Sequence, residues 1–182
     1  MQESRAGTVL LSVGEKHLKD EFINIYDEFF DDVYRYVYVK TSNKWDTEDI
    51  VSETFRKAFE KWDVLNDKTG AKSWLLAIAR NTVIDYYRRK KHLPMGDDVE
   101  FYLQSQPFED PFEQSADLDC LKQSLRHLSK EEYEITNLRY FAGLKFKEMA
   151  AILQKAEDSL RVKANRLTKK LGKLVKKCLG EI

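Results

Sequence analysis

The side chains best placed for chemistry lie near the carboxyl terminus, on one face of a predicted helix. The leucines from Leu160 to Leu174 recur at helical spacing and form the apolar face of that helix. In the major groove of DNA, arginine pairs with guanine, asparagine pairs with adenine, and valine can contact the methyl group of thymine. The spacing therefore predicts a helix that reads base pairs. Its outward face carries Val162, Asn165, Arg166, Lys169, Lys173 and Lys176, with Arg161 on the flank.

A second cationic surface is predicted on a helix near residues 74–91, which ends in the sequence RRKK. Positive charges at the end of a helix also complement its dipole, so this cluster has a purely structural explanation as well. Tyr87 and Asn81 favour nucleic acid, because aromatic side chains stack on unpaired bases while arginines hold phosphates. The arc opposite the apolar stripe carries Arg80, Asn81, Ile84, Arg88 and Lys91.

Carboxylates at helical spacing offer a different chemistry, that of a metal-dependent enzyme. Asp49 and Glu53 share a helix face, and Asp46 and Glu48 lie close by. However, no histidine lies in this segment, and the sequence contains no phosphate-binding loop or nucleophile motif. We therefore expect neither catalysis nor a bound metal or other cofactor.

The two cysteines, Cys120 and Cys178, show no CxxC spacing and have no nearby histidine. This pattern predicts neither a zinc site nor a disulfide framework. Two isolated thiols, buried or partly exposed, are the expectation.

Charge divides the 182 residues into three parts, although Lys plus Arg equals Asp plus Glu at 31 each. Residues 1–91 carry 16 basic and 16 acidic side chains, residues 92–119 carry none and 8, and residues 120–182 carry 15 and 7. All three prolines lie between Pro94 and Pro111, where no helical period survives. A basic module tethered to an acidic connector is typical of nucleic-acid-binding proteins.

The apolar periods predict an all-α fold of two small helical domains joined by a flexible acidic linker. Helices near 22–37, 47–62 (capped by Asp46) and 74–91 (capped by Ser73) form an N-terminal bundle. The expected boundaries are an N-terminal extension of unassigned role (1–19), a first domain (20–91), the linker (92–117) and a second domain (118–182).

The second domain has the layout of a helix-turn-helix. A first helix near Leu118 to Leu128 is followed by a second, for which Ser129 and Glu132 form a capping box, and Gly143 ends this second helix. A short helix at 146–154, a tight turn and the long basic helix then follow. No stretch is long and apolar enough for a membrane span or a signal peptide, so a cytoplasmic protein without membrane insertion is expected.

Two stretches of the sequence resemble two conserved regions of a known family, in the same order along the chain. The segments DTEDIVSETFRKAFEKW and SWLLAIARNTVIDYYRRKK look like region 2 of the bacterial extracytoplasmic-function sigma factors, and LSKEEYEITNLRYFAGLKFKEMAAILQKAEDSLRVKANRLTKKL looks like their region 4. The resemblance covers residues 20–91 and 118–175. It implies a dissociable subunit that directs RNA polymerase to promoters and helps to melt them. The partners implied are promoter DNA, the clamp helices and flap of the polymerase core, and an anti-sigma factor.

The resemblance also assigns roles to residues. Contacts with the polymerase core are implied for Asp49, Glu53, Thr54, Phe55 and Arg56, which Lys57 extends. Contacts with the single strand of the minus 10 element are implied for Arg80, Asn81, Ile84, Asp85, Arg88 and Lys91. Contacts with the minus 35 element are implied for Arg139, Ser159, Arg161, Val162, Asn165, Arg166 and Lys169.

The sequence departs from the family pattern at three positions. Ser52 replaces a usual Gln, Lys145 replaces a Ser or Thr cap, and Gln154 replaces the Gly of the helix-turn-helix turn. The alternative interpretation is a stand-alone helix-turn-helix regulator, against which the region 2 motif argues.

Overall fold

The computed structural model describes residues 3–63, 65, 68–91 and 116–181, and for residues 3–18, 68, 91 and 118 it describes only the backbone. Throughout these ranges the regular structure is helical, which confirms the all-α fold class. Most of the predicted linker, residues 92–115, lies outside the described residues. The helices are α1 (Glu3–Thr41), α2 (Lys44–Phe59), α3 (Ala71–Lys91), α4 (Ala116–Leu125), α5 (Lys130–Thr136), α6 (Phe146–Leu153) and α7 (Glu157–Cys178).

Helix α1 is longer than the sequence pattern predicts. The apolar period starts at Phe22, whereas the helix starts at Glu3 and runs to Thr41. The segment before Phe22 contains no proline, the residue that most strongly disrupts a helix interior, and α1 includes this segment. Ser42 then adopts a positive φ of 51° and turns the chain toward α2.

The starts of α2 and α3 correct two predicted caps. The side chain of Asn43 accepts a hydrogen bond from the backbone N–H of Asp46, so Asn43 is the N-cap of α2. The helix therefore begins at Lys44, about one turn before the start predicted from Asp46 as the cap. Ser73 lies inside the first turn of α3, where its hydroxyl donates to the carbonyl of Gly70 at 2.9 Å. Both helices pack on α1, and the side chains buried between the three include Val33, Tyr36, Ile50, Leu75, Leu76 and Val83.

The C-terminal helices follow the predicted order. Ser129 and Glu132 form the expected capping box at the start of α5. A π-helical segment, Asn137–Phe141, continues α5 and ends before Gly143, whose φ is 69°. Helices α6 and α7 complete the helix-turn-helix around a core that includes Leu138, Leu144, Met149, Leu160 and Leu167.

The two groups of helices are in contact in this structure. The Tyr133 hydroxyl of α5 donates to the carbonyl of Val39 in α1 at 2.7 Å, and the Asn137 side-chain amide donates to the carbonyl of Tyr36 at 3.2 Å. These bonds satisfy groups that burial would otherwise leave without water. The helix-turn-helix is therefore docked on the N-terminal bundle.

The prediction of isolated thiols is wrong. Cys120 in α4 and Cys178 at the end of α7 form a disulfide across 58 residues, with their Cα atoms 5.5 Å apart. The two helices bring both ends of the C-terminal domain together, a proximity that no local spacing motif encodes.

Candidate nucleic-acid interface

The residues predicted for the outward face of α7 are exposed in the structure. Leu160, Ala164 and Leu167 are buried against the helix-turn-helix core. On the other side Val162 is 49% exposed, although valine on a soluble helix usually faces a core. Because the apolar side of α7 is already buried, its remaining side chains face solvent. Exposed beside Val162 are Ser159, Arg161, Asn165, Arg166 and Lys169.

An aromatic ring holds two of the predicted DNA-contacting arginines. The guanidinium carbon of Arg139 lies 4.8 Å from the centre of the Phe146 ring, and that of Arg161 lies 5.7 Å from it. Arg139 also donates to the carbonyl of Leu144 at 2.8 Å, and Arg161 donates to Glu157 at 2.7 Å. Cation–π contacts and hydrogen bonds together restrict both side chains. No pattern in the sequence marks Phe146 as a partner of these arginines, although its place at the start of α6 was predicted.

Lys163 is turned away from the outward face of α7 and pairs with a carboxylate of α5. Its ammonium group donates to Glu131 of α5 at 2.6 Å, and Lys155 donates to the same carboxylate. The hydrogen bonds from Lys155 and then Lys163 lower the pKa of Glu131. Glu131 thus binds the turn and the following helix to α5.

The predicted minus 10 surface on α3 is only partly exposed. Asn81 is exposed, while Ile84, Asp85 and Arg88 are half-buried, and the Lys91 side chain lies outside the description. Arg88 pairs with Asp85 at 2.9 Å. Arg80 lies 3.4 Å from the carboxylate of Glu134, so it faces the docked domain rather than open solvent.

Tyr87 was interpreted as a stacking residue beside the arginines, and the structure corrects this. Tyr87 is only 2% exposed, and its hydroxyl donates to Asp46 at 2.6 Å. Tyr86 and Lys90 donate to the same carboxylate. Burial would raise the pKa of Asp46, but the hydrogen bonds from Lys90, Tyr87 and Tyr86 outweigh it and lower that pKa. Asp46 therefore joins α2 to α3. Its ion pair with Lys90 uses one of the four positive charges of RRKK in a structural contact.

A second buried carboxylate, Glu134, joins α5 to the N-terminal bundle. It accepts hydrogen bonds from the Tyr36 hydroxyl at 2.8 Å and from Lys40, in addition to the ion pair with Arg80. Burial would raise the pKa of Glu134, but Lys40, Tyr36 and Arg80 outweigh it and hold that pKa below its usual value. Burial also raises the pKa of the adjacent Tyr133. No local pattern in the sequence identifies this cluster.

The predicted polymerase-contacting residues on α2 divide between surface and core. Asp49 and Arg56 are exposed, and Glu53 pairs with Arg56 at 2.7 Å. Thr54 and Phe55 are buried, so these two side chains support α2 from inside and do not line its surface. Trp45, which was not among the predicted contact residues, is 72% exposed at the start of the same helix.

Within the described ranges, no group of three or more His, Cys, Asp or Glu side chains is arranged to hold a metal ion. In the same ranges, no helix combines the length and the apolar character needed to cross a membrane.

Comparison with known proteins gives consistent matches. The family model for sigma-70 region 2 matches residues 25–93. The chain is 30% identical over 138 residues to the extracytoplasmic-function RNA polymerase sigma factor SigM of Bacillus subtilis, covering 75% of this chain and 84% of SigM. It is 28% identical over 160 residues to the sigma factor BldN of Streptomyces coelicolor, covering 86% of this chain but only 61% of BldN.

Solved structures agree on the fold. The chain CnrH, solved with the cytosolic domain of CnrY, aligns with a TM-score of 0.63 at 18% identity, over 87% of this chain and 89% of CnrH. The sigma factor RpoE of Bartonella quintana, solved with the anti-sigma factor NepR, aligns with a TM-score of 0.62 at 21% identity, over 88% of this chain and 98% of RpoE.

Proposed function

Because the chain belongs to the extracytoplasmic-function family of RNA polymerase sigma factors, we propose that it binds the core polymerase in the cytoplasm and directs it to specific promoters. In this role it also assists promoter melting and contributes no catalytic group of its own. The domain limits of the proposal are 20–91 for region 2, 92–117 for the linker and 118–182 for region 4, with residues 1–19 unassigned.

The observation that carries the proposal is the exposed face of α7. The helix buries its leucines and presents an exposed valine among an amide and two arginines. These groups match the thymine methyl group and the hydrogen-bonding edges of adenine and guanine. Arg161, Val162, Asn165 and Arg166 accordingly read the minus 35 element, with Arg139, Ser159 and Lys169 in supporting contacts.

Region 2 supplies the second DNA contact. Asn81 is exposed on α3, and Ile84, Asp85 and Arg88 lie along the same surface. An unpaired base shows hydrogen-bonding edges that are hidden in a duplex, and polar side chains on a rigid helix can read them. This surface, together with Arg80 and Lys91, binds the melted minus 10 strand.

The outer face of α2 is the proposed contact with the clamp helices of the polymerase. Asp49, Glu53 and Arg56 give it a mixed charge, with Lys57 at its edge. Thr54 and Phe55 keep that face in place from the core. Region 4 contacts the polymerase flap, and an anti-sigma factor covers these surfaces when the factor is inactive.

The docked arrangement is incompatible with reading both promoter elements at once. Arg80 of region 2 and Glu134 of region 4 are 3.4 Å apart. Arg80 is one of the proposed minus 10 contacts, so it has to leave Glu134 before it can reach the melted strand. The domains therefore separate during promoter recognition, and the acidic linker spans the gap.

Reconstitution tests this function. Purified chain and bacterial core polymerase are mixed, separated by gel filtration, and assayed by run-off transcription on genomic fragments from the source organism. Comigration with promoter-specific transcripts is the expected result. Binding to duplex DNA without any binding to core polymerase would instead identify a stand-alone regulator.

A further inference from the structure

The disulfide between Cys120 and Cys178 joins a buried cysteine to an exposed one. Cys120 lies in α4 and is only 7% exposed, whereas Cys178, the last residue of α7, is exposed. Thiol–disulfide exchange starts when a thiolate attacks a disulfide sulfur that it can reach. The structure therefore directs any attack to Cys178 and makes Cys120 the leaving group.

A groove of about 440 Å³ is lined in part by Cys178. Three of its lining side chains, Lys170, Lys177 and His127, are basic residue types, and no carboxylate lines it among the described residues. The charge of Lys170 is paired with Glu132 at 2.7 Å. Lys177 directly precedes Cys178 in the sequence. A nearby cation attracts an anionic reagent and stabilises a thiolate.

We propose that this disulfide is an exchange site for a small thiol that carries carboxylate groups, such as glutathione. The incoming thiolate bonds to the sulfur of Cys178, the bond between the two cysteines breaks, and Cys120 leaves as a thiolate. A second small thiolate then attacks the mixed disulfide, releasing the oxidised small thiol and the Cys178 thiolate. Two electrons pass from the two small thiols to the protein, and the reverse sequence restores the disulfide.

The bond also stabilises the domain that contains it. It closes a loop of 58 residues that includes α5, α6 and nearly all of α7. Such a cross-link restricts the unfolded chain and so favours the folded domain. We expect the oxidised chain to melt several degrees above the reduced one. This inference concerns the sulfur chemistry and does not depend on the proposed transcriptional function.

Single-cysteine variants of the full chain test which sulfur reacts. Cys120→Ser leaves the accessible Cys178, and Cys178→Ser leaves the buried Cys120. Both are incubated with oxidised glutathione and followed by intact mass. The Cys120→Ser chain should gain one glutathione at least about tenfold faster, because reaction rate follows access and thiolate character. Equal rates would overturn the assignment of the exposed sulfur.

Removing a positive charge from the groove tests whether it selects an anionic reagent. In the Cys120→Ser background, Lys177→Gln should slow modification by oxidised glutathione at least about threefold more than modification by the neutral 2-hydroxyethyl disulfide. Loss of the charge lowers thiolate formation for both reagents, but it removes the attraction only for the anionic one. If both reagents slow equally, the groove does not select a carboxylate-bearing thiol.

The unmodified chain supplies the last measurement and requires no variant to fold. It is equilibrated with mixtures of reduced and oxidised glutathione, then alkylated and analysed by peptide mapping and thermal melting. The expected result is an internal disulfide in the oxidising mixtures with a higher melting temperature. Two alkylated cysteines in every mixture, or melting curves that do not respond to the mixture, would overturn the proposal.

Discussion

The hydroxyl of Tyr36 donates a 2.8 Å hydrogen bond to the buried carboxylate of Glu134, although 98 residues separate the two in sequence. Tyr36 belongs to the N-terminal bundle and Glu134 to the C-terminal group of helices, so this bond joins the two groups. Lys40 and Arg80 supply the positive charge that the buried carboxylate requires. The contact between the domains is thus centred on one ionised side chain.

Substituting Glu134→Gln should weaken that contact. The amide keeps most of the side-chain shape but leaves the buried Lys40 without its counter-charge, which costs about 3 kcal/mol in buried ion pairs. We expect a lower free energy of unfolding in denaturant titrations and a larger radius of gyration by small-angle X-ray scattering. Glu131→Gln is the matched control, because its half-exposed ion pairs contribute at most about 1 kcal/mol. Equal effects of the two substitutions would contradict the central role of Glu134.

Stability should fall in acid. The pKa values of Glu134 and Asp46 are lowered in the folded chain, so their contribution is fully present above the pKa of the unfolded chain. As pH drops below the ordinary glutamate value of 4.5 and through the lowered pKa, that contribution is lost. Denaturant titrations from pH 7 to pH 3 measure this slope. The Glu134→Gln chain should show a shallower slope than the unsubstituted chain; identical slopes would argue against the buried carboxylate as a source of the pH dependence.

Gln154 occupies the turn of the helix-turn-helix with a φ of 53°, a conformation that glycine adopts more easily. Gln154→Gly should therefore raise the free energy of unfolding by about 1 kcal/mol. Gln154→Ala keeps a Cβ atom and should give no such gain. The melting temperatures of the unsubstituted chain and the two variants measure this difference. A glycine variant less stable than the unsubstituted chain would refute the expectation.

Substitutions on α7 should separate base reading from general attraction. Arg166→Ala is expected to lose discrimination at one position of the promoter, by about 1–3 kcal/mol. Lys173→Ala should weaken binding to all sequences alike and reduce the salt slope by about one. The measurement is holoenzyme binding to specific and scrambled duplexes over a range of salt. Matching losses for both variants on both duplexes would refute the assigned face.

Phe146 should affect DNA binding without touching a base. Replacing it with leucine keeps an apolar side chain but removes the ring that lies against Arg139 and Arg161. Each contact of this kind is worth about 0.5–1 kcal/mol, so affinity for the minus 35 element should fall several-fold. Phe146→Tyr retains the ring and should bind like the original chain. A melting temperature measured in parallel shows whether the loss reflects binding rather than folding.

Sequence periodicity predicted the parts of the fold that depend on neighbouring residues. The leucine face of α7 and the capping box at Ser129 were both predicted because each is encoded within a few turns of one helix. Asp46 was misassigned as a cap because its role depends on Tyr87, 41 residues away. Cys120 and Cys178 were missed for the same reason, since only the packing of α4 against α7 brings them together.

If the chain works as proposed, the closed contact at Glu134 also determines how strongly the isolated chain binds promoter DNA. A ligand that requires separated domains binds only the open fraction of molecules, so the apparent dissociation constant equals the intrinsic one divided by that fraction. If the closed form is favoured by about 2.7 kcal/mol, about one molecule in a hundred is open and apparent affinity drops about a hundredfold. In that case, a partner that binds only the open form, such as the core polymerase, restores the lost factor in DNA affinity.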